Sequence, residues 1–249
     1  MRKTMTNFLH KLFGGEINGE TMHGTTTIEA QFNAVAKEYD GNRRKFIPCY
    51  DGYYIQTTDF LAKSLGFAPS EIFDLGAGTG LLTSYWYEYF PHAHFTLIDV
   101  ADEMLSVAKS RFQGAANVDF FTTDYTRSLP HNQPDVILSA LSVHHLHDDE
   151  KRLLFAKCRE KLPPHGVFVN YDQFCAEDAE LNAKIERYWV GEIRSSGLSE
   201  TEYARWLERK KLDRECSVAQ EVQWLKDAGF PSAECVYLNR KFAVILAKK

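Results

Sequence analysis

Ile72-Phe73-Asp74-Leu75-Gly76-Ala77-Gly78-Thr79-Gly80 is the stretch that decides the fold. Strand-like, mostly apolar text runs into three alternating glycines, and an apolar helical run opens at Leu81. Without β-carbons, Gly76, Gly78 and Gly80 let the chain turn tightly and approach a ligand closely. The helix start beyond them presents unpaired N–H groups to an anion. Taken alone, the stretch reads as an ordinary glycine-rich strand-to-helix turn. A dinucleotide fingerprint needs a small residue where Leu81 stands, and the G-K-[ST] ending of a triphosphate-binding loop is absent. Both observations argue against NAD, FAD and nucleoside triphosphates.

Working outward, strand and helix alternate, which predicts a doubly wound, mostly parallel sheet covered on both faces. The strands are expected at Ile72 to Leu75, Phe95 to Ile98, Val118 to Phe121, Val136 to Ala140 and Val167 to Asn170. Helical runs such as Glu103 to Phe112 and Lys151 to Leu162 separate them, and Pro163, Pro164 and Gly166 punctuate the turn into the fifth strand. A last helix from Val218 to Asp227 closes at Ala228-Gly229-Phe230. Cys235 to Leu238 and Phe242 to Leu246 then read as an antiparallel pair that completes a seven-stranded α/β sheet. Upstream, Ile28, Phe32, Val35 and Ala36 stand at helical spacing, and a second helical run from Tyr53 stops at Leu65-Gly66. Residues 1–27 are polar and rich in Gly and Thr, and read as a flexible arm. Residues 173–215 break the alternation with a polar helical block, expected to be a lid inserted over the active face of a domain spanning 28–249.

Bulk properties exclude more than they assign. The chain has 249 residues, 44% hydrophobic and 25% charged, with a net charge of −5. That balance suits one globular domain and leaves no broad cationic surface, which disfavours nucleic acid as a partner. Five widely spaced cysteines with no C-x-x-C pair are expected to be reduced packing residues. The basic N-terminus carries too short an apolar run for a signal peptide, and no long apolar stretch suggests a membrane span. A cytoplasmic monomer or homodimer is the expectation.

Three further elements bear on chemistry. Asp99, followed by Val100, ends the second strand, where an acid can accept from two ribose hydroxyls; it can equally cap the helix opening near Ala101. Asp124, with Tyr125, follows the third strand and can accept from an adenine amino group or stand in a solvated turn. Ser139, Ala140 and the run to His144-His145 end the fourth strand, beyond which ligands sit in open α/β sheets.

Together these elements, in this order and spacing, resemble the class I (Rossmann-like) S-adenosylmethionine (SAM) dependent methyltransferase family. The likeness runs from about Phe32 to the C-terminus and is strongest to the small-molecule branch, through Phe32, Ala36, Tyr39 and Asp40 and the late Ala228-Gly229-Phe230. The resemblance implies SAM as cofactor. By it, Gly76, Ala77, Gly78 and Thr79 cradle the methionine end under Tyr39, Asp99 holds the ribose, Asp124 and Tyr125 hold the adenine, and Met104 packs on the ring. Arg44 is a candidate partner for the SAM carboxylate, or else part of a solvated basic turn.

Methyl transfer from a sulfonium is an in-line displacement, so alignment and exclusion of water carry most of the catalysis. A base is needed only when the acceptor must lose a proton. His145 and Tyr171 are the candidate catalytic groups, and His144, Asp172, Trp189 and Trp206 the candidate substrate contacts. The alternatives are helix capping for the histidines, a satisfied sheet edge for Tyr171 and Asp172, and lid packing for the tryptophans. No metal is expected, because consecutive histidines on a turn point apart and rarely converge on one ion. Aminocarboxypropyl transfer, SAM cyclisation, carboxy-SAM formation, a transfer RNA substrate and a non-catalytic SAM-binding partner remain as alternatives to small-molecule methylation.

Overall fold

The computed structural model describes residues 28–34, 36 and 39–249, so the proposed arm at 1–27 and Val35 lie outside the described residues. A short helical segment covers 28–33, followed by α1 (Tyr39–Phe46), a π-helical turn (Asp51–Gln56) and α2 (Thr57–Ser64). The sheet and its crossovers then run β1 (Glu71–Leu75), α3 (Leu81–Tyr89), β2 (His94–Asp99), α4 (Asp102–Arg111), β3 (Val118–Thr122), β4 (Val136–Ala140), α5 (Asp148–Lys161) and β5 (Val167–Gln173). Helices α6 (Ala179–Arg194) and α7 (Glu200–Lys210) fill the stretch expected as a helical insert. The chain closes with α8 (Val218–Asp227), β6 (Ser232–Asn239) and β7 (Phe242–Lys248).

Seven strands stand in the order β3-β2-β1-β4-β5-β7-β6. β1 to β5 are parallel, and β7 inserts antiparallel between β5 and β6. Central β1 aligns Leu75 with Ile98 of β2 and with Ser139 of β4. The chain reverses its winding between β1 and β4, so the carboxyl ends of β1, β2 and β4 open onto one crevice.

Side chains of β1 alternate between two cores, as a period of two requires. Ile72 joins Trp86, Tyr53, Tyr54 and Phe95 on one face, while Phe73 and Leu75 join Phe155, Phe168 and Trp224 on the other. Phe73 and Trp86 are fully buried, and truncating either to alanine costs about 3–5 kcal/mol. Local capping rules mark the later helices. Ser199 with Glu202 and Ser217 with Gln220 form capping boxes at α7 and α8, and Gly229 ends α8 in the left-handed region at φ 95°.

Helices α1, α6 and α7 dock over the crevice through an aromatic seam. Trp189 donates its indole N–H to the Phe46 carbonyl at 2.8 Å, packs edge-on against Trp206, and Trp206 stacks on Phe46. The two tryptophans thus hold helices together, as their packing alternative has it, and both also line a small pocket beneath. No helix among the described residues is long and apolar enough to cross a membrane. The five cysteines are unbridged.

Candidate functional site

The turn after β1 is built so that side chains are excluded from it. Gly76 sits at φ 67°, and a β-carbon there would lie 1.9 Å from Ser142 Oγ. Gly78 sits at φ 55°, and its β-carbon would meet Met104 Cε at 3.1 Å. Both positions combine a backbone that favours glycine with a close neighbour. Asp99 fastens the turn from the next strand, accepting from Gly78 N at 2.8 Å and from Ala101 N at 2.8 Å. Helix α1 is latched to it from above. The Thr79 hydroxyl donates to Asp40 Oδ1 at 2.6 Å, and Arg111 bridges Asp40 and the Thr79 carbonyl.

A cavity of about 540 Å³ lies against this turn. Tyr39, Gly76, Ala77, Gly78, Thr79, Asp99, Val100, Met104, Asp124, Tyr125, Ala140 and His145 line it, all of them expected from the sequence. Asp124 faces it with one oxygen fixed by the Thr126 N–H and hydroxyl, and its other paired to Arg127 at 3.2 Å. Tyr125 and Ser142 share a 2.8 Å hydroxyl contact at the rim.

Asp74 is the informative wall residue that the sequence reading did not single out. Its side chain is 1% exposed; Oδ2 accepts from the Thr83 hydroxyl at 2.5 Å, and Oδ1 has no partner although it is buried. Burial, opposed by the Thr83 bond and aided by Asp99, pushes its carboxyl up to about 7. An orphaned carboxylate oxygen at the methionine end of a glycine cradle fits the ammonium group of SAM. The site thus fits this cofactor on its own geometry.

The far end of the cavity is set by the turn after β4. Leu141 adopts φ 51°, an uncommon conformation for leucine, and a 3-10 turn at Val143–His145 follows. It brings the two histidine rings to 4.0 Å between centroids, on the same side of the turn. The premise that consecutive histidines diverge therefore does not hold here, because both rings turn toward the same carboxylate, Asp213. Asp172 clamps His144, accepting from its backbone N–H at 2.9 Å and from Nδ1 at 2.5 Å. Asp213 reaches in from beyond α7, with Oδ1 3.4 Å from His144 Nε2 and 3.5 Å from His145 Nδ1. The Arg214 N–H docks this loop onto the His144 carbonyl at 2.7 Å.

These surroundings separate the two rings electrostatically. Burial pulls His144 down, but the carboxylates of Asp172 and Asp213 outweigh it and raise the ring to about 10. Burial and the neighbouring His144 charge hold His145 down at about 3, so its ring is neutral. His145 lines both the large cavity and the small adjoining pocket, whereas His144 lines only the latter.

Four expected site residues stand elsewhere. Arg44 points outward to an exposed ion pair with Asp51 at 2.7 Å; its neighbour Arg43, one helical turn from Tyr39, lines the cavity instead. Arg43 lies over the Tyr39 ring and has no carboxylate partner among the described residues. Ser139 is fully buried and donates to the Leu75 carbonyl at 2.9 Å, tying β4 to β1. Tyr171 is sealed among Tyr53 and Tyr54 with its hydroxyl 2.9 Å from Thr58, and burial raises its pKa, so it reaches no substrate. Asp172 is 1% exposed and spends its oxygens on His144, Gln173 and Asn170, so it orients His144 and touches no cavity.

Asp213, Arg43 and Asp74 are the residues the sequence concealed. A signal existed for Asp74, an acid inside an otherwise apolar buried strand. For Asp213, in the charged run Arg209-Lys210-Lys211-Leu212-Asp213-Arg214, there was none.

Comparison with known proteins agrees with this geometry. A family described as methyltransferase domain matches residues 72–166. The carboxy-S-adenosyl-L-methionine synthase of Wolinella succinogenes is 26% identical over 235 residues, spanning 90% of this chain and 96% of the relative. The phosphoethanolamine N-methyltransferase of Plasmodium falciparum is 33% identical over 137 residues, 54% of this chain and 50% of that one. The fold superposes on the DhpI–SAM–HEP complex with a TM-score of 0.63 at 19% identity, covering 91% of this chain and 99% of that one. Residues 72–166 thus carry a methyltransferase domain, and the strand order and the glycine turn agree with the fold of SAM-dependent methyltransferases.

Proposed function

We propose that this enzyme transfers the methyl group of SAM to a small-molecule acceptor. The observation that carries the reading is one continuous cavity, running from the glycine turn and Asp74 to His145. The cradle at Gly76 to Thr79 and the Asp74 carboxylate would hold the methionine end, Asp99 the ribose, and Asp124, Tyr125 and Met104 the adenine. When bound, SAM supplies an electrophilic methyl carbon. The chain's own work is then to align an acceptor against it and keep water out. Tyr39, latched through α1, covers the cofactor end, while Trp189, Trp206 and Phe46 close the acceptor end.

His145 is the residue placed to contact the acceptor, as a neutral ring whose Nδ1 is buried without a hydrogen-bond partner. Tyr171 and Asp172 take no direct part in this reading. Arg43 and Arg209, both on the small pocket, favour an acceptor with an anionic group.

A second reading, carboxy-SAM formation, draws support from five relatives that span 86–90% of the chain and carry the name carboxy-S-adenosyl-L-methionine synthase. One experiment separates the two. The purified enzyme is incubated with SAM and a fractionated small-molecule extract, and the adenosyl products are identified by mass spectrometry against a no-enzyme control. S-adenosylhomocysteine beside a metabolite heavier by one methylene supports methyl transfer. A SAM derivative carrying an added carboxylate, with no S-adenosylhomocysteine, replaces it with the second reading.

A further inference from the structure

We propose that His144 Nε2, His145 Nδ1 and Asp213 Oδ1 form a three-ligand site for a divalent metal of the zinc class, at the junction between the large cavity and the small pocket. The three donor atoms lie within 4.8 Å of one another, with Asp213 Oδ1 3.4 Å from one histidine nitrogen and 3.5 Å from the other. A tetrahedral zinc ion with bonds of about 2.0–2.1 Å sets its ligands about 3.3–3.4 Å apart, so both measured edges already match that spacing.

The supporting shell orients each donor atom toward one point. His144 gives its Nδ1–H to Asp172, so Nε2, which faces Asp213 at 3.4 Å, is the nitrogen that would exchange its proton for a metal. This carboxylate–histidine pairing is the usual outer shell of a metal-bound imidazole. Asp172 is itself immobilised by the backbone N–H groups of His144 and Gln173. The Gln173 side-chain amide donates to Asp213 Oδ2 at 2.6 Å, turning Oδ1 toward the histidines. His145, whose side chain is 8% exposed, points an Nδ1 with no hydrogen-bond partner at the same spot.

A divalent ion at this spot would take the place of the His144 ring proton between Asp213 and the two rings, and would give the unpartnered His145 Nδ1 a partner. Two carboxylates in the assembly, Asp172 and Asp213, supply the compensating charge. Lys210, on the same pocket, is already paired with Glu186 at 2.9 Å. Protein ligands number three, and the fourth position opens to the pocket, the pattern of a catalytic rather than a structural zinc site. The group suited to that position is a thiol or hydroxyl of the acceptor, which would place the acceptor atom beside the cofactor end of the cavity. The metal site itself rests on side-chain geometry alone and stands apart from the choice of cofactor.

The test uses the full-length protein, stripped with a chelator and dialysed, and titrated with Zn²⁺ by calorimetry and with Co²⁺ by visible absorption. The expected result is one tightly bound equivalent with the intense visible bands of tetrahedral cobalt. Asp213→Asn and His145→Gln should each weaken it at least a hundredfold, while His147→Gln, an exposed histidine two residues on, keeps the parent affinity. Absence of a stoichiometric equivalent in the parent overturns the site, as does undiminished binding in both ligand variants. Circular dichroism shows that each variant is folded. SAM titration of the same samples reports separately on the cofactor reading, so either proposal can fail alone.

Discussion

The two ends of the cavity are made in different ways. At the cofactor end the shape belongs to the backbone: Gly76 and Gly78 at positive φ, N–H groups held by Asp99, and a latch from Thr79 to Asp40. At the acceptor end the shape belongs to tertiary docking: a 3-10 turn supplies two histidines, and Asp213 arrives from beyond α7 across an aromatic seam. A backbone-built site tolerates few substitutions and keeps its ligand; a docked site can exchange its side chains and change substrate while the fold persists. Perturbations at the first end should therefore abolish cofactor binding, and those at the second should spare it.

The largest effect is expected from Gly76→Ala. The new β-carbon would fall 1.9 Å from Ser142 Oγ, and alanine at φ 67° adds roughly 1 kcal/mol of backbone strain. SAM affinity measured by calorimetry should drop by about two orders of magnitude or more, at about 3 kcal/mol or above. Adding Ser142→Gly removes the collision and leaves the strain, so it should recover part of the loss. Full affinity in the single variant would mean that the turn does not shape the ligand site.

Asp74→Asn comes next, and it separates binding from stability. The carboxyl is raised to about 7 by burial, well above the ordinary range near 4, so its ionised form is disfavoured in the folded protein. A raised acid contributes stability that is complete below its unfolded pKa and is lost as pH rises through the folded value. The parent should therefore lose stability relative to the variant between pH 5 and about 8, by on the order of 3 kcal/mol at the upper end. Thermal melts of the two proteins across that range check the sign. Because the ammonium of SAM prefers the ionised carboxylate, SAM affinity of the parent should rise between pH 5.5 and about 7, and that rise should vanish in the variant.

Asp213→Asn probes the other end. Replacing a carboxylate that faces two buried histidine nitrogens removes a charged partner worth about 1.5–3 kcal/mol. Turnover should fall about tenfold or more, with SAM affinity within about twofold of the parent. Equal losses in both quantities would merge the two ends into one cooperative unit and end the contrast drawn above.

The same contrast explains what the sequence disclosed. The cofactor end was legible because its signals are local: glycines spaced by single residues, and acids at the end of β2 and just beyond β3, Asp99 and Asp124. The parallel sheet followed from alternation, since parallel neighbours require crossovers. Arg44 was read for Arg43 because α1 is only eight residues long, and its phase relative to the crevice depends on where Tyr39 docks. Asp213 carried no signal, because one acid in a run of basic residues acquires its partners only when α7 folds back over the sheet. Tyr171 and Asp172 looked accessible at a strand end, yet β5 runs on to Gln173 and pairs with Phe242, which buries both.

Tyr171→Phe gives the smallest expected effect and the sharpest check on that last point. The hydroxyl bonds Thr58 at 2.9 Å and also faces the Trp86 indole, both neutral partners, inside a shell of tyrosine rings. Its removal leaves the ring packing intact and should lower stability by about 1 kcal/mol, with part of that loss coming from the unpartnered Thr58 hydroxyl. Thr58→Val combined with Tyr171→Phe should then recover part of that loss, because the Thr58 hydroxyl is removed with its partner while the Trp86 indole N–H stays buried. Turnover and its pH profile should stay unchanged in the single variant. A marked fall in rate with unchanged stability would place Tyr171 at the reacting atoms after all, and would require the aromatic shell around it to open during the catalytic cycle.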